Sequence, residues 1–354
     1  MRTGPLRILH LLASPAWSGP AENVALLALA QREAGHTVHV AADTKRPRPP
    51  NEEPIVPRLS ALGLLDGGGL ELSVKSSPLG VLRDVRALRS RSLDVVHAHF
   101  THDHLIARFG VPRGAILVRT LHAPRSLRRT LPRADAFTVS TPDLEQALLR
   151  QRAARTQVVG ALRDPAFVPS EDRDALRASL GITGAPLVGM VSNLQPSRRH
   201  ALGLAAFARL PTSARMVIVG EGPLEGALRA QVSSLGLGDR VTFCGYQQGP
   251  DFIRWLQALD EVWLLGLGND WTGRAAVQAR ACGVRVVAVE EGGLGTHADS
   301  VVHALDPDEV ARASLQAQRT VSQRLPDNRA IAAQVESLYR EARAALRLPA
   351  GGAR

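Results

Sequence analysis

The sequence has few cysteines, few aromatic residues and no long apolar run. The two cysteines, Cys244 and Cys282, are too few for a disulfide framework, and no Cys/His cluster has the spacing of a zinc site. We therefore expect a reducing compartment and no structural metal. Aromatic residues make up 4% of the chain, so leucine, valine, isoleucine and alanine must form the core. No stretch approaches the roughly 20 apolar residues of a membrane-spanning helix.

The apolar run near the start of the chain is short. It covers residues 8–13 and contains His10, whereas the core of a signal peptide is a longer apolar stretch of about 7–15 residues. The run is better interpreted as a first buried β-strand. From this and from the cysteine count we expect a cytoplasmic protein.

Acidic residues are scarce in the first half of the chain. Residues 1–165 carry 23 Lys and Arg against 14 Asp and Glu, a net charge of +9, and residues 166–354 carry 20 against 19, a net charge of +1. This asymmetry indicates an anionic partner, which could be lipid headgroups, a phosphorylated acceptor or nucleic acid. The basic runs lack interleaved aromatics for base stacking, which disfavours nucleic acid. The arginine-rich composition of a high-GC genome is an alternative origin of the excess.

Short apolar runs alternate with amphipathic stretches over most of the chain. Such alternation is typical of α/β proteins with parallel sheets and helices on both faces. We predict a first domain at 1–165, a second at 166–328, and a C-terminal helix and tail at 329–354. Residues 164–184 are expected to contain the linker, and residues 47–57 to form a loop. Ligands bind beyond the carboxyl ends of parallel strands, so two such sheets facing one another would form a cleft.

Glycine-containing turns follow two of the predicted strands. Gly19 lies in the turn at residues 14–20, which enters a helix whose first backbone N–H groups can meet an anion. Gly220 and Gly222 would allow a ligand to approach the backbone closely, although their spacing departs from the dinucleotide-binding signature. For the turn at residues 14–20, the alternative is that its glycine serves only to pack the turn.

A polar turn at Thr272 and Gly273 is predicted to open a helix. Gln278 would lie two turns inside it, about 9–12 Å from its start at 1.5 Å per residue. The first N–H groups could then meet a phosphate while Gln278 reaches a ribose. Arg198 and Arg199, which follow another strand together with Asn193, could supply paired donors for a diphosphate. A solvated basic turn is the alternative for Arg198.

Four histidines lie within eight residues, which raises the question of a metal site. His97 and His99 end a predicted strand on one face, and His102 and His104 follow. No cysteine or paired carboxylate completes a site, so buried histidines bonded to backbone carbonyls are the favoured interpretation. His122 ends another strand, where its imidazole could hydrogen-bond a sugar hydroxyl.

Several segments in this order resemble the retaining glycosyltransferases of family 4, and the resemblance covers most of residues 6–310. The segments are Ser18–Asn23, Ala34–Val40, Asp94–His99, Ile218–Pro223, Leu235–Gly245 and Arg280–Ala288. The resemblance implies the GT-B fold, with two Rossmann-like, doubly wound domains facing one another across a cleft. The first domain would be on the acceptor side, and the second would bind a nucleotide-sugar.

The sequence departs from the family at positions that carry the chemistry. The family uses two glutamates separated by seven residues, and here those positions hold Asp270 and Gln278. It also places an arginine and a lysine on the diphosphate, and here those positions hold Asn193 and Arg198. Arg274, in the first turn of the predicted helix, could replace the missing cation, with a surface arginine as the alternative.

The resemblance implies transfer of a sugar from a nucleotide-diphosphate sugar to a glycan or lipid-linked acceptor, with retained anomeric configuration. No cofactor or metal is implied, and a role in cell-envelope polysaccharide synthesis is expected. His122 and Asp270 would be catalytic, and the donor would be bound by Gly19, Asn193, Arg198, Gly220, Gly222, Tyr246, Thr272, Gly273, Arg274 and Gln278. The alternative is a non-catalytic relative that binds a nucleotide-sugar or a glycan. The basic first domain, including residues 125–133, could contact the anionic inner face of a membrane.

Overall fold

The computed structural model describes residues 4–47, 53–73, 76–127, 133–151, 153, 155–267, 271–316 and 325–347. The chain forms two compact units. The first consists of Met1–Leu162 together with Asp327–Arg354, and the second of Arg163–Pro326. The end of the chain therefore returns to the first unit.

The first unit is built on a six-stranded parallel sheet with the order β2-β1-β3-β4-β5-β6 among the described residues. Its strands are β1 (Arg7–Leu12), β2 (Thr37–Ala42), β3 (Val95–Ala98), β4 (Ile116–Leu121), β5 (Ala136–Val139) and β6 (Thr156–Val158). Its helices are α1 (Gly19–Glu33), α2 (Ile55–Ala61), α3 (Pro78–Arg89), α4 (Thr101–Gly110), α5 (Pro142–Arg150) and α12 (Asn328–Arg347).

The second unit repeats this plan with the strand order β12-β11-β10-β7-β8-β9, again over the described residues. The strands are β7 (Leu187–Val191), β8 (Arg215–Val219), β9 (Val241–Gly245), β10 (Glu261–Leu264), β11 (Arg285–Val289) and β12 (Ser300–Val302). The helices are α6 (Arg173–Ser179), α7 (His200–Phe207), α8 (Glu225–Ser234), α9 (Gly249–Ala258), α10 (Arg274–Ala281) and α11 (Pro307–Gln316).

The inner strands are apolar because helices cover both faces of each sheet. All residues of β3, β4 and β5 are buried, as expected for parallel strands without a solvated face. Helix starts are marked by caps: Ser77 accepts a hydrogen bond from the amide of Gly80, and Thr141 accepts one from Leu144. Strands and helices alternate as the sequence predicted, and the α/β class is confirmed.

Some elements were missed by the sequence pattern. Residues 47–57 were expected to be a loop, but α2 begins at Ile55, and residues 48–52 lie outside the described part. The expected linker at 164–184 contains α6, which is short and packs on α9. β6 and β12 have three residues each, too few to show a period. Of the described helices, none is both long and apolar enough to cross a membrane.

A buried polar network joins α12 to the first sheet. Tyr339 of α12 is buried, and its hydroxyl lies 2.6 Å from Nδ1 of His97 and 3.3 Å from the side-chain nitrogen Nε2 of Gln31. His10 of β1 lies opposite His97 of β3 in the sheet register. The rings of His10, His97 and His99 have centroids 4.4–5.2 Å apart.

The hydrogen bonds assign the proton positions in this network. Nε2 of His10 lies 2.8 Å from the side-chain oxygen Oε1 of Gln31, which can only accept, so His10 is protonated at Nε2. Its Nδ1 then accepts a hydrogen bond from Nε2 of His99 at 2.9 Å. The hydroxyl of Tyr339 accepts from Gln31 and therefore donates to Nδ1 of His97. His10 and His97 are thus neutral, and burial lowers the pKa of His99 well below its usual range.

The same bonds bear on the metal question. Ring nitrogens of His10, His97 and His99 lie within 4.8 Å of one another, so their spacing alone would permit an ion. However, the lone pairs of His10 Nδ1 and His97 Nδ1 are already used as acceptors, and a metal would have to displace both bonds. Buried histidines bonded to backbone carbonyls were expected. The partners of His97 and His99 are instead side chains, whereas His104 has a hydrogen bond with the backbone of Arg133. His102 and His104 lie in α4 rather than in this cluster.

We predict that acid weakens the folded state through this network. Burial lowers the pKa of His10 to about 4 and the pKa values of His97 and His99 well below their usual range. Because the unfolded chain binds protons at a higher pH than the folded protein does, the contribution of these histidines to stability is fully present above pH 6.5. It is lost as the pH falls through the folded-state pKa values. His10 alone accounts for about 3 kcal/mol between pH 6.5 and 4.

The measurement is the urea midpoint from pH 7 to pH 4, followed by circular dichroism. Burial raises the pKa of Asp103 to about 6, so its protonation stabilises the folded state as the pH falls. This one group opposes the three histidines of the network. A midpoint that rises on acidification would contradict the neutral network.

The two tyrosines of the chain provide a matched pair of substitutions. Tyr339→Phe removes a hydroxyl that is fully buried between Gln31 and His97, so it leaves two polar groups without a partner. We expect a loss of about 1–3 kcal/mol in the free energy of unfolding. Tyr246→Phe, at a half-exposed tyrosine, is the control and should change it by less than about 0.5 kcal/mol. Equal effects of the two substitutions in urea titrations would show that the buried network is not stabilising.

Candidate functional site

A pocket of about 290 Å³ lies in the second unit, at the carboxyl ends of its central strands. It is bounded by the loops after β7 and β8, by the segment after β9 and by the first turns of α10. Parallel strands end at one edge of the sheet, so the residues that follow them converge there. Six of the predicted donor-binding residues line it: Asn193, Arg198, Gly220, Tyr246, Arg274 and Gln278.

The loop after β7 places a guanidinium at the pocket wall. Arg198 ends a 3₁₀ turn that begins at Pro196. Its Nε donates to Oδ1 of Asn193 at 3.2 Å, and its Nη1 donates to the carbonyl of Gly266 at 3.3 Å. Asn193, which stands where the family has an arginine, thus contributes an amide that orients the neighbouring cation.

The loop after β8 requires glycine because it lies against the loop after β7. A Cβ atom on Gly220 would come within 2.1 Å of the carbonyl oxygen of Ser192, and one on Gly222 within 2.5 Å of the carbonyl oxygen of Leu194. Close packing of the two loops therefore requires glycine at both positions, and of the two only Gly220 also lines the pocket.

Helix α10 presents its first turn to the pocket. It begins at Arg274, after Gly273, whose φ of 82° is in the left-handed region. Gln278 is therefore four residues inside the helix, about 6 Å from its start, and not two turns inside as predicted. Arg274 and Gln278 both line the pocket, whereas Thr272 and Gly273 do not. Thr272 is buried, and Gly273 packs on Gly293.

Sequence reasoning missed part of the lining. Glu221 follows β8, and its carboxylate accepts a hydrogen bond from the amide of Tyr246 at 3.3 Å. Ser192 directly follows β7, and its hydroxyl lies 3.4 Å from Nε2 of His200. Burial lowers the pKa of His200 to about 4, with a further contribution from Arg198, so the ring is neutral at pH 7. Glu221 and Ser192 follow β8 and β7 closely, and this position was the signal in the sequence that could have identified them as pocket residues.

The remaining predicted residues lie elsewhere. Gly19 is the first residue of α1 and His122 directly follows β4, both in the first unit. His122 is buried, its ring centroid lies 5.7 Å from that of His99, and its carbonyl accepts from the hydroxyl of Ser140. Asp270 lies outside the described residues.

A buried ion pair braces the same edge of the first sheet and was not predicted. The carboxylate of Asp103 accepts hydrogen bonds from the amides of Ala13, His99 and Phe100 at 2.7–3.3 Å. Arg119 lies 3.4 Å from this carboxylate and donates to the carbonyl of Phe100. Burial raises the pKa of Asp103 to about 6 and lowers the pKa of Arg119 to about 10. The pair thereby ties the ends of β1 and β3 together.

Two family models match this chain. "Glycosyltransferase Family 4" matches residues 17–161, and "Glycosyl transferases group 1" matches residues 172–304. The two matches together span the greater part of both units.

Curated relatives include enzymes named D-inositol 3-phosphate glycosyltransferase. The one from Mycobacterium ulcerans is 31% identical over 261 residues, which is 65% of this chain and 56% of the relative. The one from Mycolicibacterium gilvum is 28% identical over 280 residues, with 69% and 63% covered. The matched region thus spans little more than half of these relatives.

Solved structures show the same fold at low sequence identity. Anabaena Alr3699/HepE, solved with UDP, has a TM-score of 0.73 at 19% identity, with 96% of this chain and 99% of that chain covered. The same protein was solved with UDP-glucose. The catalytic domain of starch synthase IV from Arabidopsis thaliana, solved with ADP and acarbose, has a TM-score of 0.62 at 15% identity, with 96% and 100% covered. The two parallel α/β sheets are those of the GT-B fold, and the chain belongs to the family 4, or group 1, glycosyltransferases.

Proposed function

We propose that the protein transfers a sugar from a nucleotide-diphosphate sugar to an acceptor, with retained configuration and without a metal. The observation that carries the proposal is the convergence of Arg198, Arg274 and Gln278 on one pocket beside the start of a helix. This combination suits a diphosphate linked to a ribose. It is supported by relatives named glycosyltransferases and by structural neighbours solved with UDP and UDP-glucose.

Two arginines would bind the diphosphate. The leaving nucleotide gains negative charge as the sugar departs, so fixed cations lower the barrier. Arg198 is held at the pocket wall by Asn193 and Gly266, and Arg274 stands in the first turn of α10, where the helix dipole adds positive potential. Arg274 would thereby replace the cation that the family has at the position of Asn193.

Neutral groups would bind the nucleoside. The amide of Gln278 can accept from and donate to ribose hydroxyls, although without the charge-assisted bond of a carboxylate. The backbone at Gly245–Tyr246 would lie near the base, and Gly220 would let the donor approach the loop after β8. In the first unit, Gly19 and His122 would serve the transferring sugar, with a hydrogen bond from the imidazole. Asp270 would face the donor sugar.

The acceptor would be a glycan or a lipid-linked molecule of the cell envelope. The relatives' name, D-inositol 3-phosphate glycosyltransferase, supports a phosphorylated acceptor. The net charge of +9 on residues 1–165 suits such an anion. A cytoplasmic protein working beside a membrane would meet both acceptor classes.

A peripheral contact with an anionic membrane is supported by α3 and α4, which pack side by side. Their exposed charged side chains are all arginines, because both of their carboxylates, on Asp84 and Asp103, are buried. Large apolar side chains are exposed among them. A surface that combines cations with apolar groups suits lipid headgroups and the acyl chains below them. Its residues are Leu79, Leu82, Arg83, Arg86, Arg89, Leu105, Arg108 and Phe109.

The alternative function is binding without turnover. This alternative is favoured by Gln278, which has an amide where the family has a carboxylate. It is also favoured by Asn193, whose side chain accepts a hydrogen bond from Arg198 and adds no second cation to the loop after β7. Such a protein would bind a nucleotide-sugar and release no nucleotide.

The proposal is tested by calorimetric titration with UDP-, GDP- and ADP-glucose, followed by release of free nucleotide from each ligand that binds. We expect one nucleotide to bind and to be released slowly. Arg274→Ala should weaken binding at least tenfold, since a hydrogen bond to a charged group is worth about 1.5–3 kcal/mol. Arg254→Ala, an exposed arginine of α9 outside the pocket, is the control.

The outcomes separate the alternatives. Binding without release, even with candidate acceptors, would support the non-catalytic protein. No binding of any nucleotide-sugar would refute the donor site, and equal affinities of the Arg274 and Arg254 variants would remove Arg274 from it.

The membrane contact is tested by flotation with lipid vesicles. We expect the protein to bind vesicles containing phosphatidylglycerol and not vesicles of phosphatidylcholine alone. Leu105→Ser with Phe109→Ser should lower the bound fraction by about tenfold, because two exposed apolar side chains lose their insertion energy. Leu235→Ser with Leu305→Ser changes two exposed leucines of the second unit and should have no effect. Equal binding to both vesicle types would contradict the contact.

A further inference from the structure

Arg199 has a backbone conformation that is unusual for its residue type. It lies between the 3₁₀ turn at Pro196–Arg198 and α7, with φ 55° and ψ 38°. Residues with a Cβ rarely adopt this left-handed conformation, which persists where surrounding contacts hold it and which often marks a functional position. The contacts of its side chain show what holds Arg199.

The guanidinium of Arg199 connects three loops. Its Nη1 donates to the carbonyl of Leu265 at 2.6 Å and lies 2.7 Å from Oε1 of Glu291. The other carboxylate oxygen of Glu291 accepts from the amide of Leu267 at 3.2 Å. Arg199 and Glu291, here called the clamp pair, therefore hold the loop after β10 between the loops that follow β7 and β11.

The loop after β10 is also packed directly on the 3₁₀ turn. A Cβ atom on Gly266 would come within 2.0 Å of the carbonyl oxygen of Ser197 and within 3.1 Å of Nη1 of Arg199. The carbonyl of Gly266 accepts from Arg198 at 3.3 Å. The position of this loop thus determines where the guanidinium of Arg198 lies.

The loop after β11 in turn braces the start of α10. The amide of Gly293, two residues beyond Glu291, donates to the carbonyl of Trp271 at 2.9 Å. A Cβ atom on Gly273 would come within 2.3 Å of the carbonyl oxygen of Gly293. Close-packed backbone of this kind transmits a displacement instead of absorbing it. A shift of Glu291 would therefore move Gly273 and the Arg274 that follows it.

We infer that Arg199 and Glu291 are positioning residues of the donor site. Their ion pair fixes both arginines that line the pocket, Arg198 through the loop after β10 and Arg274 through the loop after β11. The inference rests on the proposed function, in which these arginines bind a diphosphate. The side chains of the clamp pair are 27% and 34% exposed, so solvent screens their attraction and its contribution to folding is small.

The informative substitution is Arg199→Gly. Glycine adopts a φ of 55° without steric cost, so we expect the urea midpoint to stay the same or to rise. The loops lose their ion pair, so the affinity for a nucleoside diphosphate should fall on the order of tenfold. Glu291→Gln should weaken binding to a similar extent. Arg199→Lys, which keeps a cation able to reach Leu265 and Glu291, should restore much of the affinity.

The measurement is calorimetric titration of each protein with UDP, GDP and ADP in turn. Glu225→Gln, which removes one charge from the Arg229–Glu225 ion pair of α8, is the matched control and should bind as the wild type does. A drop of the urea midpoint in Arg199→Gly that parallels the loss of affinity would overturn the inference, because it would indicate a general structural role.

Hydrogen exchange in the ligand-free protein separates this inference from the proposed function. We expect the amide of Leu267 to exchange faster in Arg199→Gly and Glu291→Gln, and at the wild-type rate in Glu225→Gln. If the wild type binds no nucleotide, the proposed function fails. If the amide of Leu267 exchanges at the wild-type rate in Arg199→Gly and Glu291→Gln, the role of the clamp pair is refuted as well. Faster exchange with unchanged nucleotide affinity would show that the pair holds the loop but does not position the site, which also overturns the inference.

Discussion

The architecture of the candidate site depends on the close approach of backbone segments at the carboxyl edge of the second sheet. Cβ atoms on Gly220, Gly266 and Gly273 would each lie 2.0–2.3 Å from a carbonyl oxygen of a neighbouring loop. The loops after β7, β8, β10 and β11 can therefore stack against one another only because no side chain intervenes. This stacking brings Arg198 and Arg274, 76 positions apart in the chain, to one pocket.

The charges of the pocket follow from that packing. Asn193 leaves the loop after β7 with one pocket-lining cation where the family has two, and Arg274 supplies another from the start of α10. Each guanidinium is useful to a diphosphate only if its direction is fixed, because a flexible side chain loses rotational freedom on binding. Arg198 is fixed by Asn193 and Gly266, and the clamp pair supports both segments.

In the first unit, a cluster of histidines that raises the question of a metal site has a structural role. His97 and His99 end a strand, and the chain alone leaves open whether they bind a metal. The sheet places His10 opposite His97, and α12 adds Tyr339. Gln31 then sets the direction of every hydrogen bond in the cluster. His10 and His99 bond each other, His97 bonds Tyr339, and burial keeps the pKa values of all three low.

Local patterns in the sequence determined the α/β class and the alternation of strands and helices, and the family resemblance named six residues that line the pocket. Apolar runs, helix caps and turn glycines depend on residues that are neighbours in the sequence. The ends of predicted parallel strands indicate where ligands bind. Tertiary structure decided what depends on distant residues. It placed Gln278 one turn inside α10, used Gly222 for packing, and joined His10, Asp103, Arg119 and Glu291 to partners far along the chain. No local pattern encodes such contacts, because they form only when separate loops meet.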